Sequence, residues 1–166
     1  MLVRLTLTGR SNAAHCYHNA RDEVSLPPPP EWVEQYTAAG DDTALNGIRL
    51  LCTSTNNVVY TVESGTESFG DWSRVVWCPT GVLKSFQLQV EAPQGAIDDT
   101  AANNIRFRCS SGAIIETTGG DFGEYGGWSN ECTKGGICGI ETKMEVYGGF
   151  FVDDTSLNDV RFFCCE

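Results

Sequence analysis

Six aspartates stand in three adjacent pairs along the chain, Asp41–Asp42, Asp98–Asp99 and Asp153–Asp154, each followed at once by a threonine. Two carboxylates can share the cleavage of a glycosidic bond, one giving a proton and the other acting as base or nucleophile. They must then lie roughly 5–10 Å apart in different environments. Asp42, Asp99 and Asp154 are on that ground the candidate catalytic acids. Asp99 and Asp154 are also candidate ligands for sugar hydroxyls. The competing use is structural, because an Asp side chain accepts backbone N–H bonds in a turn, and neighbouring strand residues face opposite ways. The turn reading is favoured for the pairs, and no catalytic residue is assigned.

Aromatic rings supply the second set of candidates. An exposed indole is a platform for the apolar face of a sugar ring. Trp72 follows Gly70–Asp71 and Trp128 follows Gly126–Gly127, and both are candidate ligand-binding residues. Trp77 adjoins Cys78 and is expected in the core. A Ser-His-Asp or Cys-His nucleophile needs a histidine, and His15 and His18 are the only two. They flank Cys16 in an atypical stretch, so nucleophilic hydrolysis is poorly supported.

Eight cysteines in 166 residues point to an oxidising, extracellular compartment. Cys132 with Cys138, or Cys164 with Cys165, could be imagined around zinc. No C-x-x-C pair with a matching partner pair occurs, however, and neither metal nor cofactor is expected. The spacing follows a different rule. Cys78 precedes Cys109 by 31 residues and Cys132 precedes Cys164 by 32, so the expected pairs are Cys78–Cys109 and Cys132–Cys164. That leaves Cys138 for Cys165, and Cys16 for Cys52.

The elements that must position these groups are legible in a repeated phrase. DDTALNGIRLLC runs from Asp41 to Cys52, DDTAANNIRFRC from Asp98 to Cys109 and DDTSLNDVRFFC from Asp153 to Cys164, with first residues 57 and then 55 positions apart. This is a threefold internal repeat. Within each phrase, alternation predicts one inward face: Ile48, Leu50, Cys52; Ile105, Phe107, Cys109; Val160, Phe162, Cys164. Arg49, Arg106 and Arg161 fall on the other face, where an ion pair with a carboxylate is the favoured use. Further alternating runs, Phe86, Leu88, Val90 and Ile140, Thr142, Met144, Val146, precede the last two phrases. Apolar stretches Val58–Val62 and Ala113–Thr117 follow the first two. Each unit thus offers about four short strands, the number a Greek key needs.

Eighteen glycines and no convincing amphipathic helix argue for an all-β fold. The length suits one shared core rather than three separate domains. Propellers usually have four or more blades, which leaves a trefoil or a triangular prism. The net charge of −11 repels phosphate backbones and anionic membrane surfaces, so nucleic acid is not an expected partner. No apolar run approaches 18 residues, so membrane insertion is not expected either.

The phrase DDTAxNxxRFxC, preceded by GxxxxFxLxVExPQG and by GDW or GGW ahead of a cysteine, resembles the vitelline membrane outer layer protein family. The residues that carry the likeness are Phe69–Trp72, Trp77–Gly81, Phe86–Cys109, Asp121–Cys132 and Gly135–Cys165, within a span from about Gly40 to the C-terminus. The resemblance implies a β-prism of three Greek-key sheets about a pseudo-threefold axis. It also implies a secreted, disulfide-bonded protein of an extracellular coat, and a leaning toward carbohydrate by analogy with plant lectins of prism architecture.

Residues 1–40 depart from that pattern and are read as an atypical N-terminal segment, with residues 41–166 as the prism domain. Pro27–Pro30 cannot donate to a central sheet, so the first unit is expected to be incomplete. Only Met1–Thr8 reads as a strand, and it is placed beside the last unit's sheet. Met1–Ala14 is broken by Arg4, threonines and Gly9, and no signal peptide is visible in it.

The function expected is that of a secreted structural component of a vitelline-membrane-type layer, with extracellular glycans or mucin-type glycoproteins as partners. The alternatives are a transferase or hydrolase acting on N-acetylglucosamine oligomers through the Asp pairs, and a lectin with a discrete sugar pocket.

Overall fold

The structure is a computed structural model that describes residues 2–5, 17–18, 32–33, 45–53, 59–65, 71–92, 102–117, 119–144 and 157–166. Every regular element among them is a strand. Four precede or open the first phrase: β1 (Leu2–Leu5), β2 (Tyr17–His18), β3 (Trp32–Val33) and β4 (Leu45–Gly47). Then come β5 (Arg49–Thr53), β6 (Val59–Glu63), β7 (Asp71–Trp72), β8 (Gly81–Val90) and β9 (Ala102–Cys109). The chain continues through β10 (Ile114–Glu116), β11 (Glu124–Tyr125), β12 (Gly136–Met144) and β13 (Leu157–Cys165). All pairings are antiparallel.

The middle unit is the fullest. Its strands lie in the order β11-β8-β9-β10, with β2 added beside the start of β8. Numbered along the unit this is 4-1-2-3, the Greek-key order. The first unit follows the same order in reduced form. β7 and β4 flank β3, β4 runs on through Ile48 into β5, and β5 pairs with β6. At the break, Ile48 N–H donates to Ser64 Oγ (2.9 Å) and Ile48 C=O accepts from Ser64 N–H (2.9 Å), so neither backbone group is orphaned.

In the third unit β1 lies beside β12, which pairs with β13. The N-terminal strand therefore takes the fourth position of the last unit's sheet, beside which the sequence reading had placed it. β2 and β3 also come from the first forty residues, where only Met1–Thr8 had read as strand. A two-residue strand is too short to show a period of two.

The repeated Asn of each phrase has a structural meaning. Gln89 and Val90 oppose Asn104 and Ala102, Lys143 and Met144 oppose Asp159 and Leu157, and Trp32 and Val33 oppose Gly47 and Leu45. The extra residue is Asn103, Asn158 and Asn46 in turn, so each phrase carries a β-bulge at the same offset. In two units the following side chain caps the bulge: Asn104 Oδ1 accepts from Ile105 N–H, and Asp159 Oδ1 from Val160 N–H, both at 2.8 Å.

β4, β9 and β13 each lie against the other two. Leu45, Ala102 and Leu157, and Ile48, Ile105 and Val160, which share offsets in the three phrases, all belong to one buried cluster. This is the convergence of three sheets on one core that a triangular prism requires. Phe162 joins units two and three, its ring edge-on to Phe86 (centroids 4.7 Å apart) and to Phe107 (5.4 Å).

Of the nine expected inward residues, Cys164 is an exception: it is exposed, although its disulfide partner Cys132 is buried. Among the described residues β13 is the last strand of its sheet. Thr142 is inward as expected. The side chain of Met144, and Val146, lie outside the described residues, as do Pro27–Pro30.

Cys78–Cys109 and Cys132–Cys164 form as the spacing predicted, and Cys138–Cys165 as elimination left it. Cys52 is also disulfide-bonded. Its expected partner, Cys16, lies outside the described residues. The first two staples tie the segment before a unit's opening strand to its phrase strand. Gly81 (φ 82°) and Gly135 (φ 52°) hold matching positions at the entrances to β8 and β12. A Cβ there would strike Ser110 Oγ and the Cys165 carbonyl respectively.

Candidate functional site

Asp42, Asp99 and Asp154, with their neighbours Asp41, Asp98 and Asp153, lie outside the described residues. The two candidate tryptophans are described, and both are half-buried. Neither stands as a bare platform, because an arginine of the repeated phrase lies over each ring.

Trp72 sits on β7, opposite Trp32 of β3. The Arg49 guanidinium carbon lies 3.8 Å from its ring centroid, and Arg49 Nε is 2.6 Å from Glu63 Oε1. Arg49 thus makes the ion pair that its outward position predicted. Glu63 is its cross-strand neighbour on β6.

The middle unit differs. Arg106 Nε donates to Gln87 Oε1 (2.7 Å), an amide rather than a carboxylate, and its guanidinium carbon lies 3.9 Å from the centroid of Tyr125. Tyr125 is on β11, the fourth strand of its unit, as Trp72 is on β7. The structural counterpart of Trp72 is therefore Tyr125, which sequence reading missed because it followed the GDW and GGW tripeptides. The signal was present as an aromatic residue six or seven positions ahead of Cys78 and Cys132.

Trp128 extends the same cluster. The segment Gly126–Cys132 runs along β8, with Gly126, Ser129 and Cys132 N–H groups donating to the carbonyls of Leu88, Phe86 and Lys84. Ser129 Oγ accepts from Phe86 N–H, and Gln87 Nε2 donates to Gly126 C=O. So anchored, Trp128 lies 4.3 Å from the Arg108 guanidinium carbon and 5.8 Å from that of Arg106. Arg108 also pairs with Glu131 (3.1 Å).

Register puts these groups on one face of the sheet. Glu116, Arg106 and Gln87 form one row, and Asn104, Gln89 and Tyr125 the next. Tyr125 Oη donates to Glu116 Oε1 (2.8 Å), which also takes Asn104 Nδ2 (3.4 Å). The opposite face carries Phe86, Ile105 and Phe107 into the core. Gln87 and Asn104 are buried, their amides holding Arg106, Gly126 and Thr117 in place; the half-buried Arg106, Arg108, Tyr125 and Trp128 and the exposed Glu116 are the groups of this face that reach its surface.

One expectation is corrected here. Trp77 is 39% exposed while its neighbour Cys78 is buried, because successive residues of an extended chain face opposite ways. Arg161 is exposed; its row on β12 and β1 holds Glu141 and Arg4, and the position matching Tyr125 is Leu2.

Comparison with known proteins agrees with the motifs. A family described as Vitelline membrane outer layer protein I (VOMI) matches residues 31–166. This reaches back beyond Gly40, where the motif-based likeness began, and takes in Trp32 and Val33. The mouse protein named vitelline membrane outer layer protein 1 homolog is 51% identical over 129 residues, 76% of this chain and 63% of its own length. The human protein of the same name is 50% identical over 130 residues, with the same coverage of each chain. The chain spans 63% of the length of these curated relatives. With the match extending over all three phrases, the chain belongs to the vitelline membrane outer layer protein I family.

Proposed function

We propose that this protein is a structural component of an extracellular layer and associates with glycans or mucin-like glycoproteins through the outer face of its middle sheet. The observation that carries the reading is the cluster of Arg106, Arg108, Tyr125 and Trp128 set among Gln87, Gln89, Asn104 and Glu116. Guanidinium and carboxylate groups at the surface can hydrogen-bond sugar hydroxyls, the buried amides of Gln87 and Asn104 hold them in place, and the rings supply the apolar contact. Membership of the family and the disulfides support an extracellular setting. Assembly into a vitelline-membrane-type coat is carried over from the relatives' name and is part of the proposal.

The test is to incubate the oxidised protein with chitin-type and mucin-type oligosaccharides, following tryptophan fluorescence and product masses. Binding without turnover, weakened by Trp128→Ala, supports the reading. New product masses that vanish in Asp99→Asn would replace it with the glycan-processing alternative. Silence across the whole panel would remove the glycan association.

A further inference from the structure

We propose that Arg106 and Glu116 hold one sugar hydroxyl between them, so that the outer face of the middle sheet takes uncharged glycans in preference to sialylated or sulfated ones. This rests on the glycan reading above and names its ligand class. Register twice sets the arginine of a phrase opposite a glutamate of its unit's third strand, Arg49 opposite Glu63 on β6 and Arg106 opposite Glu116 on β10. In the first unit the pair closes, with Arg49 Nε 2.6 Å from Glu63 Oε1. In the middle unit each partner is drawn elsewhere. Arg106 Nε donates to Gln87 Oε1 (2.7 Å), and Glu116 Oε1 accepts from Tyr125 Oη (2.8 Å) and Asn104 Nδ2 (3.4 Å). The groups that draw Glu116 away belong to this unit: Gly47 stands at the place of Asn104 in the first phrase, and Trp72 on β7 at the place of Tyr125 on β11. Glycine has no side-chain amide and indole no hydroxyl, so neither bond can form in the first unit.

A parted pair can do what a closed one cannot. The Gln87 bond uses Nε and takes neither Nη group, and the Tyr125 and Asn104 bonds use Oε1 and not Oε2. A guanidinium only donates and a carboxylate only accepts. A hydroxyl does both, so a sugar hydroxyl can accept from Arg106 and donate to Glu116, with a charge-assisted bond on each side. Sulfate and the carboxylate of sialic acid only accept, and would set like charge against Glu116. The rest of the face adds no attraction for an anion. Arg108 is already paired with Glu131 (3.1 Å), so the two arginines stand beside two glutamates, and the whole chain carries a net charge of −11. Arg106 is half-buried and Glu116 exposed, which lets a ligand reach both.

The test titrates the full oxidised chain with a mucin-type oligosaccharide ending in sialic acid and with the same oligosaccharide after desialylation, following tryptophan fluorescence. The desialylated form should bind about tenfold tighter. Glu116→Gln keeps an acceptor for Tyr125 and Asn104 but removes the charge, so it should shrink that preference about fivefold or more while weakening the neutral ligand. A purely structural role for Glu116 would leave the ratio of the two affinities unchanged. Arg106→Gln should weaken the desialylated ligand about tenfold, with circular dichroism confirming that both variants are folded. Equal or tighter binding of the sialylated form, or a preference indifferent to Glu116→Gln, would overturn this inference while the glycan reading stands. No response to either oligosaccharide, or to chitin-type oligomers run beside them, would overturn both.

Discussion

Arg106 and Tyr125 are joined across two strands by a guanidinium 3.9 Å from a ring centroid, and Arg49 and Trp72 repeat the relationship at 3.8 Å in the preceding unit. In each case the arginine comes from the repeated phrase and the ring from the fourth strand of the Greek key. That strand is only two residues long, too short to be held by its ladder alone. The stack adds to that ladder, as the Tyr125–Glu116 bond and the Gly126 N–H bond to Leu88 do in the middle unit.

Tyr125→Ala removes the stack and the bond to Glu116 together. We expect a loss of about 1–2 kcal/mol in urea unfolding, from one partly desolvated cation–π contact and one hydrogen bond. Tyr125→Phe keeps the ring, and should cost about 1 kcal/mol or less. Equal losses for the two variants would show that the ring contributes nothing.

Ile105 is fully buried where the three sheets meet. Ile105→Ala is expected to cost about 2–5 kcal/mol, the range for opening a cavity in a packed core. The same change at Ile114, which is 53% exposed, should lie within about 0.5 kcal/mol. Thermal melts of the two variants side by side measure the contrast.

Replacing Cys78 and Cys109 together by Ala frees a loop of 31 residues. Chain-entropy scaling puts the loss at about 3.7 kcal/mol. Guanidinium unfolding of the double variant, with the other bridges verified by mass, checks the value.

Trp128→Ala should leave stability nearly intact compared with Ile105→Ala, since its ring packs on arginines at the surface rather than in the buried cluster. Glycan-induced fluorescence change should nonetheless fall at least severalfold, as loss of an aromatic stacking contact implies. A glycan response unchanged in this variant would place the binding face elsewhere.

The sequence by itself determined the all-β class, the three phrases, their inward residues apart from Cys164, and the Cys78–Cys109 and Cys132–Cys164 bridges. Each of these depends on local alternation or on fixed spacing along the chain. Ile48, Ile105 and Val160 could be assigned inward because a strand offers only two faces. The role of the repeated Asn was not legible, because a bulge is defined by the partner strand: only the registers of Val33, Val90 and Met144 make Asn46, Asn103 and Asn158 the extra residues.

Tertiary structure alone decided which groups meet. Arg106 and Arg49 share an offset in the phrase, yet one bonds Gln87 and the other pairs with Glu63, because cross-strand neighbours are chosen by register and strand order. Tyr125 rather than Trp128 matches Trp72 for the same reason. Local pattern tells a residue which way to face, and only the assembled sheets supply what it faces.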